Sequence, residues 1–151
     1  MDSRIFQVPV LGWLFRLAKC IPVAPQKDDP ATYQRAFDEA AKVLREGDLL
    51  GIFPEGGITR DGQLQPFKGG VMKILEQAQA DGVAAPVVPM ALTDLWGSFF
   101  SRIEKKGAMT RPFRRGVFNR VGLNVGEPVP AAQVTPALLQ ERVAALLARG
   151  S

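Results

Sequence analysis

The sequence predicts an α/β fold, a mixed β-sheet flanked by helices, and three observations predict it. Two segments carry helix-start signals followed by helical spacing of apolar residues, at Asp29-Pro30 and at Thr135-Pro136. Short apolar runs bounded by glycine and proline, Leu49–Phe53 and Pro86–Leu92, have the length of buried strands. Between them lies a third helical stretch, so strands and helices alternate in the order expected of two β-to-α units.

The opening residues Ile5, Phe6, Val8, Val10, Leu11, Trp13, Leu14 and Phe15 are apolar nearly all round, as in a buried or membrane-facing helix interrupted at Pro9. Such a segment needs a cover, so the fold is expected to be incomplete at the N-terminus, with residues before Met1 belonging to it. Asp29 is then the expected N-cap and Pro30 the first residue of a helix whose Tyr33, Phe37, Ala40 and Leu44 recur at spacings of four, three and four. Gly47 ends it. The strand Leu49–Phe53 leads into the turn Pro54-Glu55-Gly56-Gly57 and a loop that runs to Gly70. Val71–Ala80 is the next helix, with Ile74, Leu75 and Ala78 inward and Gly82 as terminator, and Pro86–Leu92 the next strand. Trp96–Arg115 suggests a short helix plus loop. Val117, Val121, Leu123 and Val125 suggest a strand ending at Gly126, and the last helix carries Leu139, Val143, Leu146 and Leu147.

At 151 residues and 46% hydrophobic content, with mean hydropathy near zero at +0.02, the chain has enough material for one domain, residues 1–151, with a real core. No apolar run approaches the roughly 18 to 20 residues that cross a bilayer, and Asp2 ahead of Arg4 without a small-residue cleavage site argues against a signal peptide. A cytoplasmic location is expected. The single cysteine, Cys20, excludes an intrachain disulfide and a zinc cluster, and its apolar neighbours suggest a small buried hydrophobe. Histidine is absent altogether, so proton transfer within the chain falls to carboxylates, lysines, Cys20 or the one tyrosine. No repeat and no low-complexity segment is present.

The chemistry concentrates in Phe53–Gly70, which is glycine-rich at both ends. A strand would deliver Glu55 to its C-terminal edge, the usual place for sites in open α/β sheets, while Gly56 and Gly57 let backbone amides approach an anion or polar headgroup. Lys68 and the amides of Gly69 and Gly70, at the start of the next helix, add positive potential suited to a phosphate.

These residues resemble the acyltransferase family that includes 1-acylglycerol-3-phosphate and glycerol-phosphate acyltransferases. The family's third motif, F-P-E-G-T-R-S followed by D-G-x-L-x-x-F-K-x-G, is met by Phe53-Pro54-Glu55-Gly56, Asp61-Gly62, Leu64 and Phe67-Lys68-Gly69-Gly70 in the same register. Its fourth motif, a hydrophobic strand with V-P, is met by Val87-Val88-Pro89, and the resemblance spans roughly Pro9 to Pro128. The resemblance implies a glycerol-phosphate acyltransferase-like α/β fold and transfer of a fatty acyl group from acyl-CoA or acyl carrier protein to the hydroxyl of a lysophospholipid or other glycerolipid. No bound cofactor and no metal are implied. Glu55 is the implied catalytic residue, Gly56, Gly57, Thr59, Arg60, Lys68, Gly69 and Gly70 the implied substrate-binding residues, and Val88 and Pro89 part of an acyl cleft. Thr59, Arg60 and Lys68 are equally compatible with a plain surface loop, whereas Phe53, Pro54 and Phe67 read as structural residues that fix the turn and its return.

Three departures bear on activity. The family's first motif, H-x-x-x-x-D, supplies the histidine base and the aspartate that orients it, and a chain without histidine cannot contain it. The chain alone is therefore expected to be inactive, its catalytic segment lying upstream; the competing reading is a catalytically dead lipid-binding or scaffold module. The family's second motif ends in an arginine implicated in phosphate binding, where this chain has Pro25 or Gln26. The arginine of the third motif is replaced by Ile58, which has no guanidinium fork for a phosphate, although Arg60, Lys27 or Lys68 offer partial compensation. The pattern is most similar to the branch that reacylates 2-acylglycerophosphoethanolamine.

Between Arg102 and Arg120, seven basic residues face one acid, Glu104, and interleave with Trp96, Phe99, Phe100, Phe113 and Phe118. Such a run suits the anionic inner face of a membrane, through Arg111, Arg114 and Arg115, and a peripheral location there is expected. A solvated basic face is the alternative. Nucleic acid is not expected as a partner, because no DNA- or RNA-binding motif accompanies the charge.

Overall fold

The computed structural model of the chain describes residues 13, 15–57, 59, 62–94 and 120–149. Two compact units divide it, residues 1–51 with 73–83, and residues 52–72 with 84–151.

In the first unit, Asp29 stands outside helical geometry at φ −149 and accepts the Thr32 N–H at 2.9 Å, which starts helix α1, Pro30–Arg45. Proline at the first position loses nothing, because its missing N–H would have had no partner there. The apolar stripe behaves as its spacing predicts: Phe37 and Ala40 form a buried cluster with Ile74, against which Ile21, Tyr33, Leu44 and Leu50 pack. Gly47 ends the helix at φ 78, a left-handed conformation that glycine adopts without a Cβ penalty. Helix α2, Gly70–Ala80, buries Ile74, Leu75 and Ala78 as its sequence predicts, and Gly82 terminates it at φ 80. Above the cluster the Lys73 ammonium sits 4.4 Å from the Phe37 ring centre and 4.8 Å from that of Tyr33, which are themselves in edge contact.

Hydrogen bonds hold two carboxylates of this unit below their ordinary range. The side chain and then the backbone of Thr32 lower Asp29, and the side-chain amides of Gln77 and then Gln34 lower Asp38. A lowered carboxylate stabilises the fold above its unfolded value and loses that contribution as pH falls through its folded value. Both groups thus favour the folded unit at neutral pH and weaken it in acid.

The second unit holds a two-stranded antiparallel sheet, β1 (Met90–Thr93) and β2 (Gly122–Val125), in register Met90 to Val125 and Leu92 to Leu123. Helix α3, Pro136–Ala148, is capped by Thr135, whose hydroxyl accepts the Leu138 N–H at 3.1 Å, and buries Leu139 and Leu146. The sheet meets this helix through its small residues. Ala91 is buried, Asn124 donates to the Leu146 carbonyl at 2.9 Å, and a Cβ on Gly126 would stand only 3.2 Å from Leu146 Cδ1. The large residues point away: Val88, Met90, Leu92, Val121, Leu123 and Val125 are all exposed.

The described structure combines helices with a small sheet, compatible with a mixed α/β class, but corrects several expectations. Leu49–Phe53 forms no strand. Leu49 is 99% and Phe53 75% exposed, and no ladder among the described residues includes them. An apolar run specifies a wish for burial, whereas a strand also needs a neighbour for its N–H and C=O groups. The only sheet among the described residues is antiparallel, so the two β-to-α units do not appear as parallel pairs. The run from Pro86 pairs as a ladder only from Met90, with a single bridge from Val87 to Val129, because Pro89 has no N–H to donate. Cys20 is half-buried rather than buried. Of the opening apolar segment, only Trp13 and Phe15 are described, Trp13 being 65% exposed. The expected helix and loop Trp96–Arg115, Val117, and the basic side chains Arg111, Arg114 and Arg115 lie outside the described residues.

Candidate functional site

All the described motif residues between Phe53 and Gly70 belong to the second unit or to the start of α2. The chain turns back at Pro54-Glu55, where Phe53 accepts the Gly56 N–H at 3.1 Å. Gly56 takes φ 64, the left-handed region. A second constraint acts on the same glycine: a Cβ there would lie 2.8 Å from Lys68 Nζ and 3.1 Å from Lys68 Cδ. Glycine thus serves both the turn and the close passage of the Lys68 side chain over it.

Two hydrogen bonds close the loop that follows. One carboxylate oxygen of Glu55 accepts the Gln65 N–H at 2.7 Å, and the Pro54 carbonyl accepts the Lys68 N–H at 2.9 Å. The first is charge-assisted and short, the stronger kind. Glu55 is half-buried, and it spends this oxygen on the backbone. Its geometry is that of a residue that shapes a loop around the place where Lys68 returns. Within the loop, the Gln65 side-chain amide donates to the Gln63 carbonyl at 3.2 Å and lies 3.5 Å from the Thr59 hydroxyl. Next to Lys68, the Phe67 N–H donates to Oε1 of Gln140, on helix α3, at 3.1 Å.

The structure therefore brings Glu55, Gly56 and Lys68 together, with Thr59 beside Gln65. Gly57 and Gly69 each face open space among the described residues, where a Cβ would meet nothing within 4 Å, so no close approach by a described residue demands glycine there. Gly70 opens α2. Ile58, Arg60 and Asp61 lie outside the described residues. Val88 and Pro89 stand on the run into β1: Pro89 is buried, close to where a Gly126 Cβ would be, and Val88 belongs to the exposed apolar face. Among the described residues, no cluster of cysteine and carboxylate side chains could hold a metal ion.

Sequence reasoning missed Gln65 and Gln140. Gln65 meets Glu55 through its backbone N–H, which any residue but proline supplies, so its type carries no signal for that contact. Gln140 sits 73 positions from its partner on a helix whose sequence shows only capping and an apolar stripe.

Comparison with known proteins places these features in a family. A family model described as Acyltransferase matches residues 1–93, which include the whole loop from Phe53 to Gly70. Over 92 residues the chain is 40% identical to a 1-acyl-sn-glycerol-3-phosphate acyltransferase of Limnanthes douglasii, covering 60% of this chain and 30% of that protein. A protein of the same description from Bacillus subtilis (strain 168) is 28% identical over 144 residues, 95% of this chain and 60% of its own. An N-acylphosphatidylethanolamine synthase of Arabidopsis thaliana is 27% identical over 88 residues, 58% of this chain and 30% of its own. The chain thus spans about a third or less of the length of the first plant relatives, 30% and 24%. No solved structure matches. With the match covering well over half of the chain and containing the loop built around Glu55, this chain belongs to the Acyltransferase family.

Proposed function

We propose that this chain forms the headgroup-binding part of an acyltransferase that moves a fatty acyl group from acyl-CoA or acyl carrier protein to the hydroxyl of a lysophospholipid. The observation that carries the reading is the closed loop: Glu55 ties the Gln65 N–H, and the Lys68 ammonium passes over Gly56 at the mouth of that loop. Lys68 is exposed, and no hydrogen bond or ion pair engages its ammonium among the described residues. A cation there, with the exposed Gly69 next to Lys68 and the exposed Gly57 next to Gly56 in sequence, suits a phosphodiester headgroup.

In the reaction, the acceptor hydroxyl oxygen attacks the thioester carbonyl carbon while a base takes its proton. The C–S bond then breaks, and the departing sulfur receives a proton. Glu55 acts in this scheme through the loop it closes, which fixes the acceptor. The base comes from outside residues 1–151, because they contain no histidine. Ile58 in place of the family's arginine favours a substituted headgroup over a terminal phosphate dianion, since one lysine gives a point charge and no bidentate fork. A lysophosphatidylethanolamine fits this best.

Titration with monomeric, short-chain lysolipids tests the reading. Lys68→Met is expected to weaken lysophosphatidylethanolamine binding by roughly tenfold, the scale of one hydrogen bond to a charged group. Equal binding by wild type and variant, or a wild type that prefers lysophosphatidate, overturns it. The absence of histidine favours a second reading, a lipid-binding module that performs no transfer in any context. The Arg111, Arg114 and Arg115 run would hold either form at an anionic cytoplasmic leaflet, each base contributing up to about 1 kcal/mol. Co-sedimentation with phosphatidylserine vesicles should fall when all three become Glu and when salt is raised. Equal binding by both proteins, or to neutral vesicles, returns the run to a solvated face.

A further inference from the structure

We infer that Gln140, on helix α3, is a positioning residue for the headgroup loop. The inference rests on the proposed headgroup role of Lys68 and goes beyond it by naming what holds that lysine's backbone in place. Three consecutive features fix the return of the loop: the Gln65 N–H is bound by Glu55, the Phe67 N–H by Gln140 Oε1 at 3.1 Å, and the Lys68 N–H by the Pro54 carbonyl. The first and third are internal to the loop. Of these three, the Phe67 bond is the one that ties the loop to another element, across 73 positions, and it is part-buried.

The geometry gives this bond leverage. Phe67 directly precedes Lys68, whose side chain must pass over Gly56 so closely that a single added carbon would stand 2.8 Å from its ammonium. A small rotation at Phe67 therefore moves the ammonium away from the loop mouth. Gln140 is itself well anchored. It lies in the second turn of a 13-residue helix capped by Thr135, and its neighbour Leu139 is buried. A side-chain amide is suited to the task because its oxygen accepts one backbone N–H while adding no charge that would compete for the Lys68 ammonium.

The test compares Gln140→Leu, which removes the acceptor at nearly constant size, with Gln140→Glu, which keeps an acceptor oxygen. Both are made in the full chain, and each is examined for amide exchange at Phe67 and for binding of short-chain lysophosphatidylethanolamine. In Gln140→Leu, Phe67 exchange is expected to rise about fivefold or more, the equivalent of one ordinary hydrogen bond, and lysolipid binding to weaken several-fold. Exchange at Leu75 and Ala78, inside α2, should not change. Gln140→Glu should restore the Phe67 protection. Unchanged Phe67 exchange in Gln140→Leu overturns the inference, as does faster exchange that leaves lysolipid binding intact. If wild type binds no lysolipid while Phe67 exchange still rises in Gln140→Leu and is rescued in Gln140→Glu, the headgroup reading fails and the clamp itself is supported.

Discussion

Purified residues 1–151, supplied with lysophosphatidylethanolamine and either acyl-CoA or acyl carrier protein, should transfer no acyl group above background. The expected deficit is large because the missing component is the base. Removing a general base costs about 10² to 10⁴ in rate, and more where the base and its orienting carboxylate act as a unit. The expectation rests on the absence of histidine from the 151 residues and on Glu55, whose carboxylate already has an oxygen committed to the Gln65 N–H. Radiolabelled acyl transfer, scanned across pH, checks this. Adding a separate segment that carries H-x-x-x-x-D should raise the rate if the chain is the headgroup-binding part of an enzyme. Turnover by the chain alone that disappears in Glu55→Gln would overturn the claim that the base lies outside it. Persistent inactivity alongside firm lysolipid binding, even with the histidine segment supplied, would favour the non-catalytic module.

The second large effect is expected at Glu55. Glu55→Ala leaves the half-buried Gln65 N–H without its charged acceptor, a loss on the scale of about 1.5 to 3 kcal/mol for a hydrogen bond to an ionised group. The penalty falls on the loop and not on the helices, because the first unit is held by its own cluster of Phe37, Ala40 and Ile74. Gln65 exchange should therefore rise by one to two orders of magnitude, with lysolipid affinity falling in parallel, while α1 stays protected. Glu55→Gln keeps an oxygen at the same place and should recover part of both. If Glu55→Ala loses lysolipid binding with Gln65 protection intact, Glu55 touches the ligand directly and its role as a loop closer is wrong.

Gly56 shows how the two levels of information meet. The motif marks it as glycine, but the reason is a three-dimensional one: a left-handed φ of 64 coincides with the passage of Lys68 overhead. Gly57 and Gly69, equally prominent in the motif, have open space around them. Local spelling identified all three; only the fold separates the one whose missing side chain the chain itself requires.

What the sequence by itself determined is whatever depends on neighbours a few positions away. Asp29 and Thr135 start their helices through N–H groups three residues on, and Gly47 and Gly82 end theirs through their own φ. The stripes Phe37–Ala40 and Ile74–Ala78 follow from helical period. The family, too, was legible, because its loop is one continuous run of chain. Only the tertiary structure decided what depends on a partner distant in sequence. It placed Leu49–Phe53 in no ladder among the described residues, paired Met90–Thr93 with Gly122–Val125 antiparallel, and gave Phe67 its acceptor on Gln140. The physical reason is the same in each case: a strand's N–H and C=O groups, and a loop's, are satisfied by whatever the fold brings beside them, and no residue type in the run itself encodes which partner that is.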